Sequence, residues 1–284
     1  MEIDEIKEYL GELGYEVLNL EKIWRHYTGH LKKEDKDYFF KMASTIEISP
    51  KTKNEADWNK RVTNKLSVKV PQIFQEAELY GLYWFIAEFV PGDTLASAEH
   101  PDQTQKLEDN LEIIAKTALE IMNLKFEGNN LEFDQLEFNQ KLDEWTLKSE
   151  RDLSRLRQFL EDRIEFLQLF PSHGDYVPWS FRLKESGELY LVDSEHAKWN
   201  YLKFYDVAYF YHRVNTKLKN PEIANRFLEA FKNIYDFSEN DKKCFELALA
   251  QRLIGGNMDA KFDNLTSIEL QDDLQNKLLA GEIL

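Results

Sequence analysis

Two acidic residues set in a short tract of turn and strand residues offer this chain its clearest chemistry. The tract reads Ser172-His-Gly-Asp-Tyr-Val-Pro-Trp-Ser-Phe-Arg-Leu183 and resumes as Gly187-Glu-Leu-Tyr-Leu-Val-Asp-Ser-Glu-His-Ala197. Asp175 follows a glycine in a loop, and Asp193 stands at the end of the apolar run Leu189-Tyr-Leu-Val192. An acid on a loop and an acid at a strand end suit the two sides of a reacting group. One would accept a proton and the other would hold a metal ion. An aspartate after glycine is also an ordinary turn residue, so the reading depends on the elements around it.

Those elements change character along the chain. Ile3, Ile6, Leu10 and Leu13 follow helical spacing and predict a short amphipathic helix. Asp37–Ala43 and the aromatic, β-branched tract Gly81–Val90 read as strands, with a polar helix over Lys53–Leu66 between them. Lys69–Phe74 reads as an edge strand, because Pro71 has no N–H to give a ladder. Pro91-Gly92 then breaks the chain. Beyond it, Leu107, Leu111, Ile114, Ala118, Ile121 and Leu124 mark one helical face, and Leu136–Phe170 holds one or two long helices. Residues 205–281 read as helices interrupted near Asn220-Pro221, Phe237-Ser238 and Gly255-Gly256. The expectation is an α+β protein: a small N-terminal antiparallel sheet lobe over 1–90, a hinge, and a larger, mainly helical C-terminal lobe over 91–284.

Composition narrows the function classes. Of 284 residues 43% are hydrophobic, which excludes a disordered chain. A net charge of −16 argues against nucleic acid or an anionic membrane as partner. No apolar run is long enough to span a bilayer, and the acidic, amphipathic start is unlike a secretory signal. Cys244 is the single cysteine, so no internal disulfide or thiolate metal site can form, and a reducing cytoplasm is the expected compartment. The charge is uneven, −3 over residues 1–90 against −13 over 91–284. That excess reads either as solvation of helical surfaces or as a field attracting a cationic substrate.

His173-Gly-Asp175, five residues on to position 180, followed by Val192-Asp193 and Glu195, resembles the Brenner-type loop of aminoglycoside phosphotransferases and related small-molecule kinases, which share the protein-kinase-like fold. The resemblance runs outward in order. Lys41 in Phe39-Phe-Lys-Met-Ala43 is similar to the lysine of the third kinase strand, and Glu55 to its ion-pair partner. Ala87-Glu-Phe-Val-Pro-Gly92 resembles the hinge, and Asp206 in Tyr205-Asp-Val-Ala208 the family's structural aspartate.

The resemblance implies phosphoryl transfer, which needs positioning and charge neutralisation more than covalent chemistry. It casts Asp175 as the base that orients and deprotonates an acceptor hydroxyl. Asp193 becomes the ligand of Mg2+, and Lys41, held by Glu55, the cation on the phosphates of ATP or GTP. Backbone groups of Glu88 and Val90 would bind the adenine edge, with Phe89 flattening its pocket. The acceptor implied is a small hydroxyl compound, cationic if the later acidic excess lines its site, with Glu195, Asp259 and Asp263 as its carboxylates.

Two departures stand out. Where the family places a metal-binding asparagine, this chain has Ser180, whose shorter hydroxyl predicts weaker metal binding or a rearranged site in which Glu195 compensates. The segment Ile23–Leu31, expected to cover the nucleotide, holds one glycine and no glycine-rich cradle, leaving Thr28 and Gly29 as its phosphate-facing positions. Ser180 also opens a rival reading, a nucleotide-binding sensor or regulator with weakened catalysis. A protein kinase is disfavoured, because the stretch from Asp193 to Asp206 is too short for a peptide-docking activation loop.

Overall fold

Alternation with a period of two along Phe39-Phe-Lys-Met sends Phe40 and Met42 to one face of a strand and Lys41 to the other. That alternation organises the first of two units in the computed structural model, which describes residues 2–125 and 133–284. This unit comprises Met1–Asp93 and Phe181–Ala197. Helix α1 (Ile3–Glu12) precedes strands β1 (Glu16–Ile23), β2 (His26–Lys33) and β3 (Lys36–Ala43). Helix α2 (Ser49–Val62), β4 (Ile73–Leu79) and β5 (Leu82–Glu88) follow. The five strands form an antiparallel sheet of order β1-β2-β3-β5-β4. Ile6 and Leu10 of α1 bury against Leu31, Phe40, Met42, Trp84 and Ile86. Ala56 of α2 packs with Tyr83, Phe85 and Ala87, and α2 lies against β3, β4 and β5.

Three details of this unit differ from the sequence expectation. Ile23–Leu31 is not an open loop: it is the end of β1, a tight turn at Trp24-Arg25, and most of β2. The edge strand β4 starts at Ile73, four residues after Lys69. Lys69 instead bridges to the Phe181–Leu183/Leu189–Leu191 hairpin, its N–H donating to the Leu189 carbonyl at 2.9 Å and its carbonyl accepting from Leu191 N–H at 2.8 Å. That bridge, with Lys184 and Tyr190 both bonded to the Glu88 carboxylate at 2.9 and 2.7 Å, gathers Phe181–Ala197 into the first unit. A single cut at 90/91 would have assigned the segment to the helical part.

The second unit comprises Thr94–Ser180 and Lys198–Leu284. Its helices are α3 (Gln105–Glu108), α4 (Leu111–Met122), α5 (Gln135–Ser149), α6 (Ser154–Glu161), α7 (Tyr205–Thr216), α8 (Pro221–Lys232), α9 (Glu239–Phe262) and α10 (Ile268–Ala280). A short antiparallel pair, Leu169–Ser172 with Lys198–Leu202, carries the chain into the loop around Asp175. Asn220 and Ser238 cap α8 and α9 with their side chains, so both breaks expected there occur. The expected break at Gly255-Gly256 does not: α9 runs through it. The glycines answer a packing need instead. A Cβ at Gly256 would lie 2.1 Å from Gln271 Nε2 and 2.4 Å from His212 Nε2. All twelve residues of α7 are buried, so it shows no polar face for periodicity to detect.

Candidate active site

The first unit sets the Lys41 ammonium among three carboxylates. The face of β3 opposite Phe40 and Met42 presents Lys41, which is buried beside α2. Its Nζ lies 2.6 Å from Glu55 Oε2, 3.1 Å from Asp193 Oδ1 and 3.6 Å from Glu195 Oε2. Burial works against the lysine's charge, but the three carboxylates outweigh it and hold its pKa above the ordinary value. Burial pushes the Glu55 carboxyl up to about 7, against the pull of Lys41. The turn that follows the hairpin is fixed from α2: Asn54 Nδ2 donates to the carbonyls of Glu195 and Ala197 at 3.2 and 2.8 Å, and Ser194 Oγ donates to Asn59 at 3.1 Å. Asp193 itself has φ +65°, a left-handed conformation that aspartate tolerates better than most residues. Its side chain is 47% exposed whereas that of Glu195 is 6%. The facing oxygens of Glu55, Asp193 and Glu195 lie within 4.8 Å of one another, a hard oxygen donor set suited to Mg2+.

The second unit positions Asp175 through α7. Asp206, in the first turn of that helix, accepts the His173 N–H at 2.7 Å, the Gly174 N–H at 3.0 Å and the Ser172 hydroxyl at 2.8 Å. Burial raises its carboxyl to about 6 even against those three donors. Gly174 has φ +82°, the sharp turn that delivers the half-buried Asp175. A loop clamped at both preceding N–H groups fixes the backbone that carries Asp175, as a proton acceptor would need.

The phosphotransferase enzyme family model matches residues 19–239, a span that includes both sets of residues. The chain belongs to the phosphotransferase enzyme family. Membership makes it a small-molecule kinase, a phosphotransferase with an alcohol group as acceptor. No curated protein matches it by sequence. Solved structures share its kinase-like fold at low identity. A thermostable mutant of aminoglycoside phosphotransferase APH(4)-Ia, in a ternary complex with ADP and hygromycin B, is 13% identical with TM-score 0.66, covering 98% of each chain. An aminoglycoside 2'-phosphotransferase-IIIa variant in complex with GDP is 15% identical with TM-score 0.62, covering 97% of this chain and 95% of that one. Choline kinase LicA from Streptococcus pneumoniae is 17% identical with TM-score 0.64, covering 98% of each.

Within this phosphotransferase the remaining predicted residues have varied settings. Thr28 lies in β2 directly opposite Lys41. Gly29 is also inside β2, where a Cβ would stand 2.7 Å from the Asn19 carbonyl, so strand packing already requires glycine there. The Glu88 N–H is committed to the Gln72 carbonyl at 2.8 Å. Phe89 is stacked on His30 with ring centroids 4.0 Å apart. Val90 is half-buried just past β5. Ser180 is buried, and its Oγ has no hydrogen-bond partner among the described residues. Asp259 is paired with Arg213 and Arg252, and Asp263 with Lys217 at 2.7 Å while it caps Leu265 and Thr266. Glu195 belongs to the Lys41 cluster.

Sequence reasoning passed over Arg25, which occupies the β1–β2 turn and bonds Glu195 and, at 3.0 Å, His196 Nε2. It also passed over His26, 3.3 Å from Glu195 Oε2 and driven down to about 4 by burial and then by the Lys41 charge. The available signal was a basic pair, Arg25-His26, in a segment that holds a single glycine and no glycine-rich cradle.

Proposed function

We propose that this phosphotransferase moves the γ-phosphoryl group of ATP, or of GTP, onto a hydroxyl of a small molecule with Mg2+ bound. The observation that carries the reading is the Lys41 ammonium set among Glu55, Asp193 and Glu195: a cation for phosphate oxygens beside oxygen donors for a divalent ion. In this reading Lys41 turns to the phosphates, oriented by Glu55, with Thr28 on the strand beside it. Asp193, the more exposed carboxylate, is the principal Mg2+ ligand and Glu195 its neighbour. Bound Mg2+ would neutralise charge on the transferring group. Val90 offers backbone groups to the base. Asp175 takes the proton of the acceptor hydroxyl. Fold neighbours in complex with ADP and GDP support a nucleotide as donor. The acidic excess after residue 90 was the ground for a cationic acceptor, but Asp259, Asp263 and Glu195 are each already engaged by cations of this chain.

Calorimetric titration with ATP and GTP, each with and without Mg2+, tests the reading. Magnesium-dependent binding of either nucleotide is expected, and absence of binding by both would remove phosphoryl transfer as the chemistry. Ser180, buried with its Oγ unpartnered among the described residues, favours a second reading: a nucleotide-binding protein of weakened catalysis, acting as sensor or regulator. Under it Ser180→Asn should raise the transfer rate without changing nucleotide affinity; under the first it should not.

A further inference from the structure

Helix α7 carries more than the clamp on the Asp175 loop. Tyr205, Tyr209 and Arg213 repeat at four-residue spacing along one face of it, beginning one residue before Asp206. Four residues correspond to about 6 Å of helix, and Arg213 reaches back over that turn, its Nη2 lying 3.5 Å from the Tyr209 hydroxyl. Arg252, from α9, joins the stripe. Its guanidinium carbon stands 3.9 Å from the Tyr209 ring centroid and its Nη1 3.3 Å from the Tyr205 hydroxyl, with the Trp145 ring 5.6 Å away. Asp206, the neighbour of Tyr205, accepts the His173 and Gly174 N–H groups, so the Tyr205 end of this stripe adjoins the loop that carries Asp175.

The charges here do not balance. Arg213 and Arg252 are 7% and 4% exposed and share a single carboxylate, Asp259. Nε and Nη1 of Arg213 and Nε of Arg252 are buried and have no hydrogen-bond partner among the described residues. His212, the adjoining titratable group, accepts no part of the excess: it is buried and held neutral, with Nε2 at 3.1 Å from Gln271 Oε1. Arg151, in the bend between α5 and α6, is spent on Asp272 and Asn257 at 2.6 and 2.7 Å. Two buried guanidiniums with one counter-charge and three unused N–H donors form an arrangement that is costly without an anion and suited to planar or tetrahedral oxyanions. The side chain of Asp259 is 24% exposed, which makes it the outward member of the cluster and the group an arriving anion would displace.

We propose that the acceptor of this phosphotransferase carries an anionic group, a carboxylate or a phosphate ester, that seats on the guanidiniums of Arg213 and Arg252 while its hydroxyl meets Asp175. The inference rests on the phosphoryl-transfer reading above and names the acceptor class for it. The tyrosine faces and Trp145 form the wall between hydroxyl and anion, and Arg213 and Arg252 set specificity against choline-like or polyamine acceptors.

Titration of the full chain with D-glycerate, glycerol 3-phosphate, glycerol and choline, followed by arginine Nε–H NMR signals and by calorimetry, tests it. At least one of the two anions is expected to bind ten-fold or more tighter than glycerol and choline, and to shift Arg213 and Arg252 signals. Preference between the two anions distinguishes carboxylate from phosphate ester. Arg252→Lys and Arg213→Lys should each weaken the anion at least ten-fold while magnesium-nucleotide affinity, measured on the same samples, stays within two-fold. Binding of choline alone, binding of no probe, or equal anion affinity in the lysine variants would overturn the proposal. Should those variants fail to fold, Asp259→Asn decides: without its internal counter-ion the pair should gain anion affinity, read as a larger anion-induced rise in melting temperature than in the parent protein. An equal or smaller rise overturns it. Loss of nucleotide binding with anion binding intact would count against the phosphoryl-transfer reading instead, so the two failures are separable.

Discussion

The two units each keep a charge imbalance, and the signs are opposite. In the first, Glu55, Asp193 and Glu195 outnumber Lys41 and Arg25. In the second, Arg213 and Arg252 outnumber Asp259. Structural ion pairs in a core tend to close their accounts, because an uncompensated buried charge is strongly destabilising. In the readings proposed above the missing charge arrives with a ligand, Mg2+ in the first unit and an anionic acceptor in the second. The first unit is short of positive charge. The second lacks negative charge. The first relieves part of its surplus by letting Glu55 take a proton near neutrality; guanidiniums have no such escape, since arginine does not give up its proton.

The widest test of this contrast is Asp175→Asn, which removes the proposed proton acceptor of the second unit. Transfer should fall about 10³-fold, with magnesium-nucleotide affinity unchanged; turnover within ten-fold of the parent would exclude Asp175 as the base. Asp193→Ala strikes the acidic cluster. Loss of a group that stabilises the transferring charge should slow transfer on the order of 10²-fold, and nucleotide binding should lose its dependence on Mg2+ in the calorimeter. Retention of that dependence would move the metal away from Asp193. Gly256→Ala probes the packing that holds the basic cluster. Its methyl must displace Gln271 and His212, so chemical denaturation should show a loss of about 1–3 kcal/mol.

The smallest effect is one of pH. His212 is fully buried, and burial, then Arg213 and Arg252, drive its pKa well below the ordinary 6.5. A group whose folded pKa is depressed supplies stability that is present above the unfolded pKa and is lost as pH falls beneath it. Stability should therefore decline below about pH 6.5 with a contribution of up to about 1.4 kcal/mol per pH unit. His212→Gln should flatten that limb of the denaturation profile. An unchanged acid limb would mean that neither burial nor the two arginines depresses His212.

Much of the fold was legible because the first unit obeys simple periods. Phe39-Phe-Lys-Met gave the face of Lys41, Ile3, Ile6 and Leu10 gave α1, and Pro91-Gly92 lies close to the end of the first unit's main segment at Asp93. Asp175 and Asp193 were visible as acids in a turn-and-strand tract between helices. The basic cluster was not. Helix α7 is buried on every side, so Tyr205, Tyr209 and Arg213 stand out from no polar background, and Arg252 lies 39 positions further on in a helix that two glycines made look broken. Local pattern reports which face of an element is wet; it is silent on which charges meet across two helices. The same limit hid Arg25, whose partner Glu195 is 170 residues away.

Trp24 sits in the β1–β2 turn next to Arg25 and is 91% exposed, while Trp58 and Trp84 are at most 1% exposed and no other described tryptophan is classed as exposed. A collisional quencher such as iodide will therefore read this one indole ahead of the rest. The protein carries its own optical reporter at the tip of the hairpin whose arginine grips Glu195. Its quenching can be followed through a nucleotide or metal titration without attaching a dye or changing a residue.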